Sequence, residues 1–246
     1  MNSTRNIMAL IEMLLADGGD IGVRELGVRT GIPKSTVQRF LASMEENGWV
    51  SRDRGTRGYR IGYKLLGQSI GWMLRLELQR QSQEILDLIS SQTGLTSALS
   101  TLDGWNGLTI ASGLPGGPEG PAEKCLVLFD LHASASGRAL LAFAPEPLQK
   151  YLIYSRLKAY TERTITTPKA LQEALDDVRQ TRYAYSAGEN VPEMAEVAVP
   201  LLNPDDSIMA ALSLRGPEAA VMPDVGLYVE KLRGAAAEII ERMADL

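Results

Sequence analysis

The sequence predicts an α+β chain in three parts. These are an N-terminal winged helix-turn-helix, a linker helix, and a C-terminal α+β domain on an antiparallel sheet. Three observations carry this. Residues 1–63 hold three short helical patterns and then a hairpin pattern with a basic tip. Residues 64–81 hold an apolar helical run without proline. Residues 82–246 interleave helical patterns with short strand patterns joined by hairpin turns.

Composition narrows the class. The 246 residues are 45% apolar, too many for a disordered chain. No run of eighteen apolar residues exists, so no spanning helix is expected. One Cys excludes an internal disulfide, and one Cys with one His excludes a Cys/His zinc site. The net charge of −5 hides an asymmetry. Residues 1–64 carry ten Lys/Arg against seven Asp/Glu, and the remainder fifteen against twenty-three. Such a basic segment on an acidic chain points to a local anionic partner.

In the first part, the opening helix runs from about Thr4 to Asp17, with Ser3 or Thr4 as N-cap. Glu12 interrupts the apolar run, and Ile7, Leu10, Ile11, Leu14 and Leu15 recur at helical spacing. An amphipathic helix explains this better than a signal peptide, so a mature cytoplasmic protein is expected. A second helix spans Val23 to Thr30, stopped by Gly31. Pro33 suits the first position of a third, whose inner face is Val37, Phe40, Leu41 and Met44. That helix offers Lys34, Ser35, Thr36, Gln38 and Arg39 near its N-terminus, the end that enters a major groove. Trp49–Arg52 and Tyr59–Gly62 form a hairpin whose Arg52, Arg54 and Arg57 suit phosphates. A solvated helix pair with an ordinary hairpin is the plain alternative. The order of all five elements within sixty residues argues for DNA binding.

The run Lys64–Arg80 is strongly apolar and must bury a face, against a second copy or against its own domains. Another helix covers Ser82–Thr93. Strands Thr96–Leu102 and Leu108–Ala111 flank a turn at 103–107. Residues 113–121 are Gly/Pro-rich, either a loose loop or a lid. A strand through Cys125–Phe129 follows, then helices at Ser136–Ala144, Pro147–Leu157 and Pro168–Thr181. Strands at Ala184–Ser186, Glu196–Leu202 and Ile208–Leu214 precede a last helix, Asp224–Ala244.

The chain resembles the IclR-type transcriptional regulators over nearly its whole length. In the first domain the resemblance rests on residues 26–41, which include Gly31-Ile32-Pro33-Lys34-Ser35-Thr36, and on Gly58-Tyr59-Arg60-Ile61-Gly62. Later it rests on residues 131–142, on Ala198-Val199-Pro200 and on residues 210–217. It implies a GAF-like domain that binds a small organic or aromatic acid, and a homodimer or tetramer on double-stranded operator DNA, controlling catabolic genes as a repressor. It adds Tyr59 to the residues expected at DNA. No cofactor or metal is implied.

Family pocket positions carry over one at a time. The helix opening at Ser134, Ala135 and Ser136 reads from its residues alone as an N-cap, and from the resemblance as a carboxylate site. A family Asp falls on Ser186 and a family Cys on Glu196. The two serines of a family pair fall on Ser213 and Arg215. Glu196 and Arg215 are expected on neighbouring strands, paired together or with Arg215 holding an effector carboxylate. Tyr183 and Tyr185 share a strand face and either line the pocket or pack. Trp105, His132 and Cys125 are expected to be structural. An enzyme is not expected, since Gly-x-Ser-x-Gly and phosphate-loop motifs are absent. The remaining alternative is a C-terminal domain that serves only dimerisation or partner binding.

Overall fold

The computed structural model describes residues 3–53, 55–116 and 126–244. The chain divides into two compact units, Met1–Arg75 and Leu76–Leu246.

The first unit holds helices α1 (Ser3–Asp17), α2 (Val23–Thr30) and α3 (Lys34–Glu46), then strands β1 (Val50–Arg52) and β2 (Tyr59–Ile61). Leu10 and Leu14 of α1 meet Leu26 of α2 and Val37 and Leu41 of α3 in one core. Each such side chain, once buried, contributes about 1.5–3 kcal/mol. The strands pair antiparallel, and Ile21 adds a bridge to Tyr59 through two bonds of 2.9 Å. Ser3 and Thr4 lie inside the first turn of α1, so neither is its N-cap. Pro33 is the N-cap of α3 and not its first helical residue. Its ψ of 136° turns its carbonyl to accept the N–H groups of Thr36 and Val37.

Helix α4 (Tyr63–Thr93) is one helix of 31 residues, where a linker helix and a separate helix are expected from sequence. At the expected break, Ser82 caps nothing. Its hydroxyl donates to the Gln79 carbonyl of the same helix. With no proline between residues 63 and 93, nothing stops propagation.

The second unit is built on a six-stranded antiparallel sheet. Its strands are β3 (Thr96–Asp103), β4 (Asn106–Gly113), β5 (Val127–Phe129), β6 (Ala184–Ala187), β7 (Met194–Leu202) and β8 (Ile208–Pro217). Their spatial order is β5-β4-β3-β8-β7-β6. Alternation divides each strand between two layers. Leu99, Val197, Val199, Leu212 and Leu214 pack with Leu86 and Ile89 of α4 and Leu232 and Ile239 of α9 (Val225–Ala244). Ala198 and Ala211 pack on the other face with α5 (Ala135–Ala142), α6 (Glu146–Tyr154) and α7 (Pro168–Thr181). A short helix, α8 (Glu218–Val221), leads into α9.

Candidate functional site

Two surfaces collect the residues singled out from sequence. On α3, one stripe (Val37, Leu41, Met44) is buried in the first unit. The opposite stripe therefore exposes Lys34, Ser35, Gln38 and Arg39, while Thr36 is half-buried. This follows from helical spacing alone. Arg52 is exposed, with its guanidinium 5.6 Å from the centre of the Tyr59 ring. Arg57 is exposed in the hairpin turn. Arg54 lies outside the described residues.

Tyr59 departs from expectation. It is 4% exposed and belongs to the core, because its position on β2 points inward and Arg52 covers its ring. It holds the hairpin rather than presenting a surface. The flanking glycines have a packing role. A Cβ on Gly62 would lie 2.3 Å from the Gly48 carbonyl oxygen. Sequence reasoning also overlooked Arg60, which bridges Asp20 and Asp53 at 2.8 Å each. The Asp53 carboxylate accepts the N–H groups of Thr56 and Gly55 at 2.7 and 2.8 Å, tying the turn to its base. Those bonds, Thr56 first, hold its carboxyl below the usual carboxylate range.

The second surface is a cavity of about 790 Å³ in the C-terminal unit, between the sheet and the start of α5. Ser134, Ser136, Ser186, Glu196, Ser213 and Arg215 all line it. Register explains their convergence. Ser186 stands opposite Glu196, Glu196 opposite Arg215, and Arg215 opposite Thr96. One step along, Ala198, Ser213 and Ala98 form the next row. These small side chains cannot reach across a layer that Leu or Phe would fill, so space remains. Val127, Leu128 and Phe129 of β5 add an apolar wall.

The start of α5 is nearly satisfied from within. Ser134 is its N-cap, with its Oγ accepting the Gly137 N–H at 3.1 Å. The Arg138 N–H bonds the Ser134 carbonyl. The Ala135 N–H donates to Oε2 of Glu196 at 2.9 Å. The Ser136 N–H has no partner among the described residues. A Cβ on Gly137 would lie 2.3 Å from the Leu131 carbonyl oxygen, which accounts for a glycine within this helix.

At the other end, Tyr160 donates its hydroxyl to Asp130 at 2.5 Å. That bond first, and burial second, push its pKa up to about 12. Arg138 reaches under α5 to Glu189 with a two-pronged ion pair at 2.6 and 2.9 Å. It also donates to the carbonyls of His132 and Tyr185. Thr161 and Thr164 donate to the Gly188 and Glu189 carbonyls, so the segment carrying Asn190 and Val191 to the cavity is held firmly. Neither the Arg138 pair nor the Asp130–Tyr160 bond was legible in sequence.

The remaining residues separate clearly. Tyr183 packs in the layer of α4 and α9 and Tyr185 is exposed, so neither lines the cavity. Only Tyr185 lies on β6, and Ser186 and Ala184 hold the strand's opposite face, towards the cavity and α5. His132 is buried, and its Nε2 donates to the Lys158 carbonyl at 2.8 Å. Trp105 meets Tyr151 at the surface in a tilted contact, with ring centres 4.4 Å apart and ring planes at 44°. Cys125 and residues 117–121 of the Gly/Pro-rich stretch lie outside the described residues. Among the described residues no His/Cys/Asp/Glu cluster could hold a metal, and no helix is long and apolar enough to cross a membrane.

Comparison with known proteins agrees with this architecture. Residues 72–241 match the family described as "Bacterial transcriptional regulator IclR C-terminal", and residues 3–54 match the "IclR helix-turn-helix domain". The chain is 29% identical over 214 residues to the HTH-type transcriptional regulator BhcR of Paracoccus denitrificans, covering 83% of this chain and 74% of that one. The crystal structure of Thermotoga maritima IclR superposes with a TM-score of 0.60 at 28% identity, over 99% of each chain. The inducer-binding domain of PobR from Acinetobacter, a double mutant in complex with 3-hydroxybenzoic acid, superposes with a TM-score of 0.59 at 27% identity. That alignment covers 65% of this chain and 96% of that domain.

Proposed function

Since the chain belongs to the IclR family of bacterial transcriptional regulators, a non-enzymatic family, we propose that it is a cytoplasmic repressor of catabolic genes released or retained on its operator by a small organic acid. Residues 1–63 are the DNA-reading head, 64–81 the linker and 82–246 the effector domain. Helix α3 enters the major groove, with Gln38 and Arg39 on base edges and Lys34, Ser35 and Thr36 at its leading end. Arg52, Arg54 and Arg57 meet flanking phosphates. The observation that carries the effector reading is the cavity, where Arg215 is the lining cation for an acid. The PobR domain bound to 3-hydroxybenzoic acid supports an acid of that size.

The active form is a homodimer. Trp72, Met73, Leu74 and Leu76 are exposed on α4, an apolar set that a second copy would cover. Two heads related by a twofold axis fit a palindromic operator.

The experiment is a salt titration of operator binding, followed by fluorescence anisotropy, with and without a panel of aliphatic and aromatic acids. Each phosphate-contacting residue among Lys34, Arg52 and Arg57 should lower the slope of log K against log salt by about 1.8 when changed to Ala, about 0.9 for each head of the dimer. At least one acid should shift operator affinity. Unchanged slopes would refute the DNA surface, and indifference to every acid would refute the effector reading.

A further inference from the structure

We propose that Glu196 is the chain's own occupant of the anion position at the start of α5. The effector then meets that end of the cavity with a hydrogen-bond donor, a protonated amine, and not with a carboxylate. This rests on the reading of the cavity as an effector site and names the chemistry of one end of it.

Three observations converge. The Ala135 N–H, which a ligand carboxylate would use, already donates to Glu196 Oε2 at 2.9 Å. Glu196 is only 8% exposed, and what it exposes lines the cavity. A carboxylate has about four acceptor sites on two oxygens, so the amide leaves most of that capacity to donors. The charged lining residues, among those described, are Asp130, Glu196 and Arg215, two acids against one cation.

A second carboxylate on the neighbouring Ser136 N–H would sit a few ångströms from Glu196. Like charges so close repel strongly where one of them is as buried as Glu196. An ammonium in the same place adds a charge-assisted bond. Ser134, Ser136, Ser186 and Ser213 can accept hydrogen bonds from its remaining N–H groups. The effector acid is therefore an amino-substituted acid, its ammonium at Glu196 and its carboxylate directed elsewhere in the cavity.

Calorimetric titration of the full chain tests this with benzoate, benzylamine and 4-(aminomethyl)benzoate against wild type, Glu196→Ala and Glu196→Gln. The wild type should bind 4-(aminomethyl)benzoate at least about tenfold more tightly than benzoate, the value of one hydrogen bond to a charged group. Glu196→Ala opens the Ala135 N–H and should gain about tenfold for benzoate while losing the amine preference. Glu196→Gln keeps an acceptor on that amide and should lose the preference without the gain. It also decides the matter should Glu196→Ala fail to fold. Equal benzoate affinity in wild type and Glu196→Ala, or an amine preference retained in Glu196→Gln, would overturn the inference while leaving the effector reading intact. No binding of any probe by any of the three proteins would remove the effector reading, and this inference with it.

Discussion

Replacing Arg138 by Met should be among the most damaging single changes in the C-terminal unit. Arg138 and Glu189 have side chains only 4% and 12% exposed, and their ion pair is two-pronged. Arg138 also satisfies the carbonyls of His132 and Tyr185. Methionine fills similar volume, so packing is kept while a carboxylate and two carbonyls lose their donor. Removing one partner of a buried pair costs about 3–5 kcal/mol, far above the fraction of a kcal/mol for an exposed pair. For a unit of this size each kcal/mol moves the midpoint by about 2–4 °C, giving a fall of about 6–20 °C. Urea unfolding by far-UV ellipticity would read the free energy, and hydrogen exchange in residues 135–142 would assign it to α5. The charge argument makes a second demand. In Arg138→Met with Glu189→Gln, no bare charge remains, so the double variant should be more stable than Arg138→Met alone. A loss below about 1 kcal/mol in the single variant, or simple additivity in the double, would refute the reasoning.

Gly62→Ala should destabilise the N-terminal unit by about 1–3 kcal/mol, because its Cβ would meet backbone at 2.3 Å from the Gly48 oxygen. A calorimetric melt unchanged within error would contradict this. Tyr160 gives a pH signature. Its folded pKa of about 12 lies above the ordinary value of 10.0, so its bond to Asp130 is fully present below pH 10 and is lost as pH rises towards 12. Tyr160→Phe should therefore lose stability at neutral pH and show a flatter alkaline limb across that window. Superimposed alkaline limbs in the two proteins would count against it.

The parts of this molecule legible in its sequence obey local rules. Helix α2 and its Gly31 stop, the α3 stripe of Val37, Leu41 and Met44, and the Thr167 cap of α7 all follow from periodicity and capping. So do the hairpins at residues 103–106 and 203–207, which bring Glu196 opposite Arg215. Errors arose where one local signal had two outcomes. A serine within an apolar helix can start a new helix or bond back into the old one, and Ser82 does the latter. The resemblance sets Tyr59 at DNA, but the register of β2 turns it to the core.

The interactions that give the cavity its character have large sequence separations. Glu196 reaches an amide 61 residues away, and Arg138 a carboxylate 51 residues away. Pattern alone offers no distance between such groups, since any acid on the cavity face of β7 would fit the alternation equally well. The available signal was chemical. A Glu on a strand face otherwise held by Met194, Ala198 and Pro200 needs a buried donor within reach, because a charge costs several kcal/mol to bury unpaired. Two donors stand with it in the pocket that the resemblance implies, Arg215 across the strand pair and the first amides of α5. The unpartnered N–H groups at any helix start favour the second. A glutamate and a helix start taken together locate the Ala135–Glu196 bond, which sets what the cavity can accept at that end.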